Sequence, residues 1–149
     1  MQRDILYVIL YLVVTEKRHR STISLHLTIW MYLLSVLMKH NLFATATTGR
    51  LIADNTGLPI TLLLSHKQGG HQQINARIAY NEIDLVLLFT DPNTTEPWDD
   101  SQMIETIRHC DKHNVPIATN LASAEMLIMG LQRGDLDWRE MLHTKPRNI

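Results

Sequence analysis

Leu42–Phe43–Ala44–Thr45–Ala46–Thr47–Thr48–Gly49–Arg50 is the stretch that decides how this chain folds. A short apolar strand runs into closely spaced threonines and a glycine, then into the helical pattern Leu51–Ile52–Ala53–Asp54. A strand that passes directly into a helix through small hydroxyl residues builds an anion site. The first N–H groups of the helix lack intrahelical partners, its dipole puts partial positive charge there, and hydroxyls add donors. The plainer alternative is that Thr47 or Thr48 simply caps the helix. The segment alone leaves both readings open.

Working outward, the next signal is regular alternation. Strand Leu42–Ala46 feeds helix Thr48–Asn55, which Gly57–Leu58–Pro59 ends. Strand Ile60–Leu64 and the loop Ser65–His66–Lys67–Gln68–Gly69–Gly70–His71 lead into helix Gln72–Asn81. Strand Asp84–Phe89 then enters a polar loop, Thr90–Asp100, where Pro92 and Pro97 exclude regular structure. Helix Ser101–His113, strand Val115–Thr119 and helix Ser123–Gln132 follow, and the tail Asp135–Ile149 has room for a helical turn or two. Upstream, Ile5–Val14 is a continuous apolar run rich in β-branched and aromatic residues, as expected of a parallel strand covered on both faces. It is shorter than the roughly 20 residues a bilayer span requires, and charged Glu16–Lys17–Arg18 follows it where a signal peptide would carry small residues. The pattern predicts one α/β domain over residues 1–149, a three-layer α/β/α arrangement around a five-stranded parallel sheet of Rossmann-like type. The strands are expected at Tyr7–Val13, Leu42–Ala46, Ile60–Leu64, Leu85–Phe89 and Pro116–Thr119.

Helix Ile23–Met38 is apolar on nearly every side, including Trp30, Tyr32, Leu33 and Leu37, so it is either deeply buried or covered by another subunit, and a homo-oligomer is expected. A formal net charge of -1 removes the electrostatic case for nucleic acid. No basic face alternates with the apolar one to suit a membrane surface. The single Cys110 rules out an internal disulfide framework and suits a reducing cytosol; it reads as a small residue packed on a helix. No pair of the eight histidines has the spacing of a zinc site.

Three loops follow strand carboxyl ends: Thr45–Gly49, Ser65–His71 and Thr90–Asp100. Chain direction puts them on one rim, where open α/β sheets bind ligands. Ser65–His66–Lys67–Gln68–Gly69–Gly70 offers a hydroxyl, a cation and two residues free to take positive φ, which suits close backbone approach to phosphate.

Taken together and in order, Leu42–Gly49, Gly69–Gly70–His71–Gln72–Gln73–Ile74, Asp91–Pro92 and Val115–Pro116–Ile117–Ala118–Thr119–Asn120 resemble methylglyoxal synthase. The resemblance spans roughly residues 40–130. It implies a homohexamer that eliminates phosphate from dihydroxyacetone phosphate through an enediolate, without metal or organic cofactor. It also implies that Thr45, Thr47, Thr48 and Ser65 hold the substrate phosphate, with Gly69, Gly70 and Asp91 at matching site positions and His66 in the phosphate-binding loop. Other positions differ. The family aspartate that removes the proton is His71 here, the family histidine in the following loop is Trp98, and an aspartate just after it is Ser101. His66 replaces a glycine. The first-strand motif, Ala-His-Asp then lysine, is lost: His19 has about the right separation from Thr45 but lies between Arg18 and Arg20, with Ile23 at the lysine.

A neutral imidazole titrates near pH 6.5, so His71 suits a base, but it reaches further than an aspartate, and near-attack geometry tolerates little displacement. Trp98 donates one N–H and cannot relay a proton. Phosphate binding, mostly backbone and hydroxyl work, survives these changes better than turnover does. Two functions stay in view: a methylglyoxal synthase of reduced activity, and a phosphate- or effector-binding regulatory domain without efficient catalysis. A structural subunit that assembles with active homologues is a third.

Overall fold

The computed structural model describes residues 7–12, 33–89 and 100–143. Among the described residues five strands form one sheet: β1 Tyr7–Leu12, β2 Asn41–Thr45, β3 Ile60–Leu63, β4 Leu85–Phe89 and β5 Ile117–Ala118. Their order is β3-β2-β1-β4-β5, and every pairing is parallel. The helices are α1 (33–37), α2 (Ala46–Thr56), α3 (Gly70–Ala79), α4 (Asp100–Lys112), α5 (Leu121–Arg133) and α6 (Glu140–His143), with short 3₁₀ turns at His66–Gln68 and Asp137–Arg139.

The period of two along β4 divides the core. Leu85 and Leu87 pack with Leu33, Val36 and Leu37 of α1 and with Ala124, Ile128 and Leu131 of α5. Val86 and Leu88 point the other way, into a cluster with Ile74 and Ile78 of α3 and Cys110 of α4. Successive side chains of a strand leave opposite faces, so a central strand carries apolar residues at every position. Both clusters are closed to water, with Leu85, Leu87 and Ile78 no more than 1% exposed.

Expected boundaries shift by one to three residues. Strand β2 runs Asn41–Thr45 and hands over at once to α2, which starts at Ala46 instead of Thr48. Helix α3 starts at Gly70 instead of Gln72, because the Ser65–Gln68 segment winds into a 3₁₀ turn and shortens the loop. Asn120 Oδ1 accepts from Ser123 N, so α5 starts at Leu121, two residues before the expected Ser123. In the tail, Arg139 is fully buried and its Nε donates to Asp84 Oδ1 at 3.0 Å, tying the end of the fold to the start of β4. Much of the expected helix Ile23–Met38 lies outside the described residues. Of its final part, Leu33, Val36 and Leu37 are buried and Met38 is exposed. Among the described residues no helix is long and apolar enough to cross a membrane.

Candidate functional site

The site begins where β2 and β3 end side by side. Thr45 pairs in register with Leu63, so the turn into α2 and the loop after β3 leave the sheet as neighbours. The residue capping α2 is Thr45, with extended φ and ψ of -61° and 154°, and its side chain makes no capping hydrogen bond. Thr47 and Thr48 lie inside the first helical turn instead of capping it, which corrects the plainer reading of the opening stretch. Thr45 and Thr48 are buried and Thr47 is exposed. The first turn of α2 thus presents backbone N–H groups that the cap side chain does not satisfy. Gly49 lets the helix lie close on the sheet: a Cβ there would meet Leu62 Cδ2 at 2.3 Å.

The second loop is held by its own backbone. Ser65 O accepts from Gln68 N and Gly70 N, both at 2.9 Å, and Ser65 Oγ donates to Gln68 Oε1 at 3.1 Å. Gln73, on α3, reaches back so that Leu64 N donates to its Oε1 at 2.8 Å. The two glycines do different jobs. Gly69 has φ +96°, the left-handed region, whereas Gly70 is helical. Of the two residues free to take positive φ, only Gly69 uses that freedom. Gly70 is required by contact, since a Cβ there would lie 2.0 Å from Leu64 O.

His71 occupies the first turn of α3, not the loop, and is 2% exposed. Its ring faces α4. Nε2 lies 2.5 Å from Gln102 O and 2.9 Å from Thr106 Oγ1, and Thr106 Oγ1 donates to Asn75 Oδ1 at 2.8 Å. The exposed His66 ring stands edge-on to His71, with centroids 6.3 Å apart. The structure therefore brings together Thr45, Thr47 and Thr48 at one strand end and Ser65, His66, Gly69, Gly70 and His71 at the next. His19, Asp91 and Trp98 lie outside the described residues. Ser101 falls in the first turn of α4.

Asn75, Gln102 and Thr106 were not legible as site residues. A signal existed in retrospect: Asn75 is four residues beyond His71 and Thr106 four beyond Gln102, each pair sharing a helix face. Two shifted pKa values lie elsewhere. Burial pushes the Cys110 thiol up to about 12, which suits a packed residue and not a nucleophile. Burial also lowers His40, which stands just before β2, at the opposite end of the sheet from the site. A cavity lined by Val36, Lys39, His40, Leu131, Arg133 and Asp137 opens at that same far end. Among the described residues no group of three or more His, Cys, Asp or Glu is placed to hold a metal.

The MGS-like domain family matches residues 32–119. A methylglyoxal synthase from Caldicellulosiruptor saccharolyticus is 50% identical over 110 residues, covering 74% of this chain and 77% of that protein. One from Brevibacillus brevis is 48% identical over 108 residues, covering 72% and 79%. The crystal structure of methylglyoxal synthase from Elizabethkingia anophelis superposes with a TM-score of 0.64 at 29% identity, over 83% of this chain and 77% of that one. With a family model that matches residues 32–119 and relatives near 50% identical over about three quarters of the sequence, the chain belongs to the methylglyoxal synthase-like domain family.

Proposed function

We propose that this chain binds a small phosphorylated metabolite, and that the ligand is the triose phosphate of its family, dihydroxyacetone phosphate. The observation that carries this is the pairing of Thr45 with Leu63, which sets the α2 amino terminus beside the Ser65–Gly70 loop. A phosphate there would accept from backbone N–H groups of α2 and from threonine and serine hydroxyls, with the helix dipole favouring its charge. Inorganic phosphate would bind in the same place. The two apolar clusters support a three-layer, Rossmann-like reading of the fold. By family resemblance the protein is a cytoplasmic homohexamer, and light scattering that finds a stable monomer at micromolar concentration would overturn that assembly.

The family reaction needs a base to take a proton from the carbon beside the substrate carbonyl, leaving an enediolate that expels phosphate. In this chain that position carries His71, whose Nε2 is engaged with Gln102 O and Thr106 Oγ1 on α4. A second reading follows from that engagement: a phosphate- or effector-binding domain with slow turnover or none. One assay separates the two. Methylglyoxal and free phosphate released from dihydroxyacetone phosphate, abolished in His71→Ala, would make His71 a working base. Ligand-dependent stabilisation without product supports the binding domain. Melting curves unmoved by millimolar phosphate and by dihydroxyacetone phosphate would overturn both.

A further inference from the structure

We infer that Gln102 O fixes His71 as the Nε2–H tautomer, that Thr106, backed by Asn75, is the positioning residue that holds the ring there, and that Nδ1 is thereby the proton-accepting atom of the ring. The direction of each hydrogen bond follows from donor and acceptor chemistry. A backbone carbonyl only accepts, so the 2.5 Å contact with Gln102 O requires a hydrogen on Nε2. Thr106 Oγ1, 2.9 Å from the same nitrogen, is then a second acceptor for that hydrogen. Its own hydrogen is directed to Asn75 Oδ1 at 2.8 Å. Turning the Asn75 amide over would send the Thr106 hydrogen toward Nε2, where the Gln102 carbonyl already requires one. His71, Thr106 and Asn75 are 2%, 2% and 5% exposed, so water is not at hand to repair a reversed chain.

The consequence rests on the reading of His71 as a group of the ligand site. Nδ1 is closed to solvent in this structure, so the ligand must displace what covers it before the Nδ1 lone pair forms the new N–H bond. The ligand C–H bond breaks, its electron pair becomes the new C=C bond, and the carbonyl π pair passes to oxygen to give the enediolate, with no oxidant or reductant needed. The imidazolium so formed keeps its Nε2–H on Gln102 O and Thr106 Oγ1, and the carbonyl dipole favours the added charge. Thr106 and Asn75 act through His71 and touch no reacting atom themselves.

The test is nitrogen–proton correlation NMR of the ¹⁵N-labelled full chain at neutral pH, with the His71 ring assigned by its loss in His71→Gln. The wild type should show a protonated Nε2 and an unprotonated Nδ1. Thr106→Val should move the Nε2–H signal while Gln102 O keeps the hydrogen on Nε2, and Thr106→Ser, which keeps the hydroxyl, should restore the wild-type shift. A protonated Nδ1 in the wild type overturns the inference, as does a Thr106→Val spectrum identical to wild type. Should Thr106→Val fail to fold, the wild-type spectrum still decides the tautomer, and Asn75→Leu should disturb the Nε2–H signal from the far end of the chain. Phosphate-dependent melting, read on the same samples, keeps the two ideas separate. Its absence with an Nε2–H ring overturns the ligand reading alone, and its presence with an Nδ1–H ring overturns the positioning role alone.

Discussion

Gly70→Ala tests how tightly the site loop is built. The added Cβ would sit 2.0 Å from Leu64 O, 2.9 Å from Leu64 C and 3.1 Å from Ser65 O, all backbone atoms that no rotamer change can move. A carbon needs roughly 3.3 Å from an oxygen, so the first turn of α3 or the end of β3 must shift by about 1.3 Å. Three effects compete. Overpacking of a tight contact costs about 1–3 kcal/mol, and the Gly70 N to Ser65 O bond it disturbs is worth about 1 kcal/mol more. Against this, alanine gains up to about 1 kcal/mol over glycine in a helix. The clash wins, and a net loss of about 1–3 kcal/mol should lower the melting temperature by roughly 2–12 °C in a domain of this size. The measurement is a thermal melt with and without phosphate, because a displaced loop should also weaken the phosphate response. Gly57→Ala is the control: with φ +71° and nothing within 4 Å it should cost about 1–2 kcal/mol through backbone strain alone and leave the phosphate response intact. A Gly70→Ala protein melting at or above the wild type would refute the close approach of α3 to Leu64.

Thr48→Ala should reduce the phosphate-dependent rise in melting temperature, and an unchanged rise would move the anion site away from the first turn of α2. If His71 and Trp98 are what disable turnover, His71→Asp with Trp98→His should recover more activity on dihydroxyacetone phosphate than the two single changes combined, since groups serving one transition state are not additive; purely additive gains would count against a shared step. Arg139→Leu removes the buried cation paired with buried Asp84 and the donors to Asn114 O and Ile83 O, so urea unfolding should show a loss of about 3–5 kcal/mol, partly recovered in the double Asp84→Leu/Arg139→Leu protein. Cys110, its thiol held near 12 against an ordinary 9.0, binds its proton more tightly folded than unfolded. Its contribution to stability is therefore complete below about pH 9 and lost as pH rises toward 12, and thiol reagents at pH 8 should label it only on unfolding.

The strand pattern was legible because its signals are local. Apolar runs at Tyr7–Leu12 and Leu85–Phe89 announce strands covered on both faces, and Leu42–Thr45 running into threonines announces a strand-to-helix turn, each within a few residues. The threonines, Ser65 and the Gly69–Gly70 pair could be named as candidates for the same reason. What lay beyond the sequence depends on contacts between distant segments. That β1 lies between β2 and β4 is set by which strand edges meet. That Gly70 must be glycine follows from Leu64 O, and its helical φ gives no local sign of it. His71 shows the limit most sharply. The chain makes it a polar residue beside a glycine turn; only the packing of α3 on α4, 31 and 35 residues further along, commits its Nε2 to Gln102 O and Thr106. Residue type supplies a proton-carrying ring, but which nitrogen holds the proton is decided by neighbours that no local pattern specifies.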